Sequence, residues 1–140
     1  GWRMGYAAGP DWLIAEMAKF QQYSFVCAPS MAQAAMVGAF DVDMSAEVDR
    51  FERRRDMVRT AFDGVAQISD CRGAFYVFVE LPEHLGMTAT EFCDLAIEHD
   101  VVVIPGGVFS SRDTHIRISY ACPEDKLKAG LDVLRNMMLN

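Results

Sequence analysis

Residues 115–120 alternate without a break. Ile116, Ile118 and Tyr120 fall on one side, while His115, Arg117 and Ser119 fall on the other. A period of two is what a β-strand with one buried face requires, and a helix of 3.6 residues per turn scrambles it. A single strand is not stable alone, so the chain has to supply sheet partners. Residues 74–81 are one candidate, rich in aromatic and β-branched residues. Residues 101–104 are the other, a short and wholly apolar run of the kind that marks a buried strand.

The rest of the chain has helical spacing. Gly9-Pro10-Asp11 opens a helix over 11–23, with Leu13, Met17 and Phe20 at helical intervals. Pro29 and Ser30 restart the chain into a helix over 31–40. It is rich in alanine and methionine and carries no charge, which predicts burial in a core or at a subunit contact. A long helix over 45–66 has the stripe Val48, Phe51, Val58, Phe62 and Val65, with Glu52, Arg53, Asp56 and Arg59 toward water. A turn over 70–73 precedes the first strand. Residues 90–99 form a helix with Phe92, Leu95 and Ala96 inward. Pro123 starts the last helix, with Glu124 and Asp125 in its first turn and Leu127, Leu131, Leu134 and Met138 as its stripe. Three helices followed by strand, helix, strand, strand, helix predict a mixed α/β fold of the α+β type, a small sheet with helices on one face.

Composition narrows the partners. The net charge of −7 over 140 residues repels nucleic-acid phosphates and anionic membranes. The basic run Arg53-Arg54-Arg55 lies between Glu52 and Asp56 and reads as a solvated helix face. Cys27, Cys71, Cys93 and Cys122 form no C-x-x-C pair and have no histidine at zinc-ligand spacing, so they read as thiols of a reducing compartment. No apolar run approaches the ~20 residues of a membrane-spanning helix. A soluble cytoplasmic protein is the expectation.

Nucleotide-binding, hydrolase and metalloprotease motifs are absent. Asp41 and Asp43 read as helix-end solvation, and His84, His99 and His115 fall on different elements. Two arginines stand out. Arg3 lies in an aromatic turn between Gly1 and Gly5, glycines that let backbone approach closely. Its planar fork suits a phosphate or carboxylate, or else a structural ion pair. Arg117 sits mid-strand between two isoleucines that point the other way. Its face also carries His115 and Ser119, and it reads either as a functional group or as part of a merely solvated face.

At these residues the chain resembles a known family. Gly1-Trp2-Arg3-Met4-Gly5-Tyr6 is similar to the segment that follows the cofactor lysine in class I/II aminotransferases of fold type I. Gly73-Ala74-Phe75-Tyr76-Val77-Phe78 resembles the family's Gly-Ala-Phe-Tyr strand. Residues 102–109, Val-Val-Ile-Pro-Gly-Gly-Val-Phe, resemble its Val-Pro-Gly-x-x-Phe loop, and residues 115–121 its near-terminal Arg-Ile-Ser strand. Four motifs in the family's order make the resemblance specific to an aspartate aminotransferase-like protein.

The resemblance implies roles. Arg3 binds the phosphate of pyridoxal phosphate, Arg117 clamps the substrate α-carboxylate, and Phe109 lines the substrate pocket. Gln33 and its helix resemble a segment that in the family runs near the subunit interface, which implies a homodimer or other self-association. Residues 1–44 then represent the end of the large domain with connecting and interface helices, and residues 45–140 the small C-terminal domain. The cofactor lysine of the family falls upstream of Gly1, and Lys19, Lys126 and Lys128 sit in contexts unlike its motif. The chain also opens with no initiator methionine and no polar lead-in. The expectation is a fragment of a transaminase, inactive alone, whose parent moves an amino group from an amino acid to a 2-oxo acid. The rival expectation is a stand-alone α/β ligand-binding or regulatory domain.

Overall fold

A computed structural model describes residues 2–140 and divides the chain into two compact units, Gly1–Met44 and Ser45–Asn140. The first unit holds α1 (Asp11–Ser24) and α2 (Ser30–Ala39). Its buried apolar side chain is Ala32, while Trp2, Tyr6, Trp12, Phe20, Tyr23, Met31 and Phe40 are all exposed. Trp2 and Met4 line a hollow of about 340 Å³ along α2, together with Met31, Ala32, Ala35, Met36 and Ala39. The apolar helix over 31–40 therefore forms as expected, yet its burial is not achieved within the chain. A unit of this size has too few layers to enclose so much apolar surface.

The second unit begins with α3 (Ser45–Phe62). This helix stops four residues short of the expected end. Val65 and Ala66 donate backbone hydrogen bonds to the Phe62 carbonyl at 3.0 and 3.1 Å, and Gly64 takes φ +69°, which closes the helix as a turn. The sheet follows from β1 (Tyr76–Glu80), β2 (Ile104–Pro105) and β3 (His115–Ser119), all antiparallel in the order β1-β3-β2. Val77 pairs with Ile118 and Val79 with Ile116, so the core-facing residues of two strands meet on one face. Residues 67–69 extend the sheet beyond β1 through the Ile68–Val79 bridge.

Two further helices cover that same face. In α4 (Ala89–Glu98), Thr88 is the N-cap of a capping box, with its hydroxyl accepting from the Glu91 amide and the Glu91 carboxylate accepting from the Thr88 amide. The carboxylate accepts from the Thr88 amide first and also from the Thr88 hydroxyl, and these two hydrogen bonds hold it below its ordinary range. α5 (Glu124–Leu139) buries Leu127, Leu131, Leu134 and Met138. One core cluster joins these to Val58 and Phe62 of α3 and to Phe92, Cys93 and Ala96 of α4. Cys93 takes the inward position expected of Leu95, which is 38% exposed. The apolar run 101–104 also departs from a buried strand. The Val101 amide is spent on the Ala96 carbonyl at the end of α4, and Val102 is 77% exposed, so pairing starts only at Ile104.

Candidate functional site

The outer face of the sheet carries the groups of interest. β3 is the central strand, so Arg117 lies between two neighbours, opposite Phe78 on β1 and Ile104 on β2. Its flanking residues Ile116 and Ile118 are buried on the core side, which fixes Arg117 on the outer side, half-buried. The guanidinium carbon lies over the Tyr76 ring at 4.3 Å from its centroid and over the Phe109 ring at 4.3 Å. Phe109 in turn meets Phe78 edge-on at 5.7 Å. Among the described residues, the guanidinium makes no ion pair and no hydrogen bond. A planar cation held by ring faces keeps its N–H edge available, and that edge is what a carboxylate engages in bidentate fashion.

The two rings are brought there by different local devices. Phe109 follows a 3-10 turn at Gly106–Val108, where its amide donates to the Gly106 carbonyl at 2.8 Å. Gly106 is required at this place. A Cβ there would lie 2.8 Å from the His115 carbonyl oxygen and 3.1 Å from that of Arg112. Asp113 ties the same loop to the start of α4, accepting from the Thr90 hydroxyl at 2.7 Å. Tyr76 opens β1 just after Ala74, a non-glycine residue at φ +59°. The Tyr120 hydroxyl donates to the Ala74 carbonyl at 3.0 Å, and the Tyr120 amide donates to the Phe75 carbonyl. Burial is the first cause that raises the Tyr120 phenol above its ordinary range. The Phe75 ring packs against Tyr76 at 4.4 Å between centroids, tilted by 44°.

Arg3 belongs to the other unit. It is exposed and adopts φ +56°, a conformation that costs a non-glycine residue about 1–2 kcal/mol. Its guanidinium also has no ion pair among the described residues. Nothing lies within 4 Å of a Cβ built at Gly5, so no close approach is made there among the described residues; Gly1 lies outside them. The Gln33 side-chain amide donates to the Ala28 carbonyl at 2.7 Å and braces the loop before α2. Lys19 is exposed and ion-paired with Glu16 at 2.8 Å, while Lys126 and Lys128 are exposed on α5. Among the described residues no cluster of metal-ligating side chains occurs, and no helix is long and apolar enough to cross a membrane. Sequence reasoning missed Tyr76 as part of this site. The cross-strand register that brings it to Arg117 was the missing information.

The family model for aminotransferase class I and II matches residues 1–134. The aromatic-amino-acid aminotransferase 2 of Thermococcus litoralis is 33% identical over 99% of this chain and 37% of its own length. An aspartate aminotransferase of Rhizobium meliloti is 37% identical over 94% of this chain and 36% of its own length. Among solved structures, the aspartate aminotransferase of Thermotoga maritima superposes with a TM-score of 0.84 at 26% identity, covering 99% of this chain and 36% of that one. The chain therefore spans a little over a third of the length of these relatives. With the four motifs in order, the family model across nearly the whole chain and the matching fold, this chain belongs to the class I and II aminotransferases, and is aspartate aminotransferase-like.

Proposed function

We propose that the chain provides the substrate-carboxylate clamp and the cofactor-phosphate arginine of a pyridoxal-phosphate-dependent aminotransferase acting between amino acids and 2-oxo acids. The observation that carries this reading is Arg117, a guanidinium fixed on the central strand, flanked by rings, with its N–H edge unspent. The family match favours this reading over that of a free-standing ligand-binding domain. In this role Arg117 donates two parallel hydrogen bonds to the α-carboxylate, and so orients the amino acid before any bond changes. Phe109 lines the pocket beside it.

Arg3 fits a phosphate dianion, since it offers an exposed fork, without an ion pair among the described residues, in a turn of strained backbone. When bound, pyridoxal phosphate supplies the electron sink for chemistry at the substrate α-carbon. Lys19, Lys126 and Lys128 stand on exposed helix surfaces, so the proposal assigns the cofactor lysine to a segment other than residues 1–140, and the chain alone is inactive. Residues 1–44 act as connecting and interface helices and residues 45–140 as the small domain. The exposed apolar residues of the first unit support a homodimer. The free thiols Cys27, Cys71, Cys93 and Cys122 are in keeping with the cytoplasm.

The test is Arg117→Ala in the complete enzyme that carries this chain. Losing a hydrogen bond to a charged group costs about 1.5–3 kcal/mol, so affinity for the substrate carboxylate falls at least roughly tenfold to a hundredfold. Arg117→Lys recovers only part of this, because an ammonium cannot present the fork. Affinity is read from cofactor absorbance, with thermal unfolding as the control. Normal substrate binding in Arg117→Ala would make the arginine structural and remove the basis of the proposal.

A further inference from the structure

We propose that Tyr76 is a positioning residue for substrate-carboxylate recognition, acting through Arg117; the role rests on the carboxylate reading above. A half-buried arginine is normally steadied by an acid. Among the described residues none pairs with Arg117, and the Tyr76 and Phe109 rings take that place at 4.3 Å each. The difference matters chemically. An aspartate beside Arg117 would occupy its N–H edge and neutralise its charge, in competition with an incoming carboxylate. A ring engages the face of the guanidinium through its quadrupole and leaves both the edge and the charge for the ligand.

Tyr76 is itself held in place. The tilted Phe75 ring packs against it at 4.4 Å, and the backbone before it is anchored by the hydroxyl and amide of Tyr120, a residue only 1% exposed. Phe109, by contrast, rides on a loop and is 48% exposed. The strand-borne ring is the one able to keep the guanidinium oriented when no substrate is present. Its contribution is pre-organisation, so removing it weakens substrate binding without touching the chemical step.

The experiment compares Tyr76→Leu, Tyr76→Phe and Arg117→Ala in the complete enzyme, with L-aspartate and L-phenylalanine as donors. Tyr76→Leu is expected to raise KM about three- to tenfold with kcat within about twofold, a range set by the strength of one cation–π contact. Tyr76→Phe is expected to restore KM, because the ring and not the hydroxyl does the holding. Thermal unfolding serves as the control for folding. An unchanged KM in Tyr76→Leu alongside a raised KM in Arg117→Ala overturns the positioning role and leaves the carboxylate reading standing. An unchanged KM in both overturns both. Equal impairment in the leucine and phenylalanine variants also overturns the proposal. If Tyr76→Leu does not fold, the wild-type 140-residue chain still decides the matter by NMR. Ring currents should move the Arg117 Nε–H resonance upfield of the other arginines, and an unshifted resonance contradicts the stacking.

Discussion

Cys93 shows how one buried atom sets a pH limit on the unit around it. Its thiol is 4% exposed, and burial, followed by the charges of Asp113 and Asp94, pushes its pKa from an ordinary 9.0 to about 11. The unfolded chain ionises this thiol first as pH rises. The stabilising contribution is therefore complete below pH 9.0 and is lost progressively up to about pH 11. A two-unit difference corresponds to about 2–3 kcal/mol. Urea unfolding at intervals between pH 8 and 11 should show a steep loss of stability in the wild type. In Cys93→Ala that loss should be shallower by about the same amount, with the remainder reflecting the raised phenol of Tyr120. Parallel losses in the two proteins would mean that the thiol is not protected. The inward role of Cys93 was not legible in the sequence. Leu95 and Cys93 flank the Phe92–Ala96 stripe of α4 on opposite sides, and only the placement of the helix on the sheet chooses between them.

At the scale of elements, the alternation in β3 made the outer face of Arg117 legible, because a strand with Ile116 and Ile118 in the core has only one other side. The contacts on that side were not legible. Tyr76 reaches Arg117 diagonally across the β1–β3 pairing, and register is a property of two strands together. Phe109 reaches it only because the chain turns tightly at Gly106, where a side chain would collide with the carbonyls of His115 and Arg112. Gly106→Ala should therefore cost about 1–3 kcal/mol, the usual penalty for forcing atoms into a packed position. It should also move Phe109 away from the guanidinium. Denaturant midpoints measure the first effect, and the loss of contacts between Phe109 ring protons and the Arg117 side chain in NMR spectra measures the second. A variant of wild-type stability with those contacts intact would show that the loop accommodates a Cβ without shifting. The run 101–104 failed as a strand for a related reason: its first amide closes α4 rather than a sheet ladder.

For the whole molecule, the contrast between the two units decides how the chain behaves in solution. The core cluster lies entirely within Ser45–Asn140, where helices α3, α4 and α5 close one face of the sheet. Gly1–Met44 has two helices and no comparable core. Trp2 is 75% exposed, Phe20 78%, Tyr23 85%, Met31 69%, Val37 70% and Phe40 65%. Soluble monomers rarely leave so many large apolar side chains of one small unit open to water. Along α2 charge does not protect it, since that helix contains no charged residue. The 140-residue chain should therefore self-associate in a concentration-dependent way, while residues 45–140 alone should remain monomeric and unfold cooperatively. Light scattering across a concentration series measures the first, and denaturant titration of the shorter piece measures the second. Replacing Phe20 and Met31 with serine in the full chain should shift it toward the monomer, because the driving force scales with apolar area removed from water, at roughly 25 cal/mol per Å². A strictly monomeric chain at high concentration would mean that the first unit buries these side chains by itself. Association of the 45–140 piece to the same degree would place the sticky surface on the sheet unit.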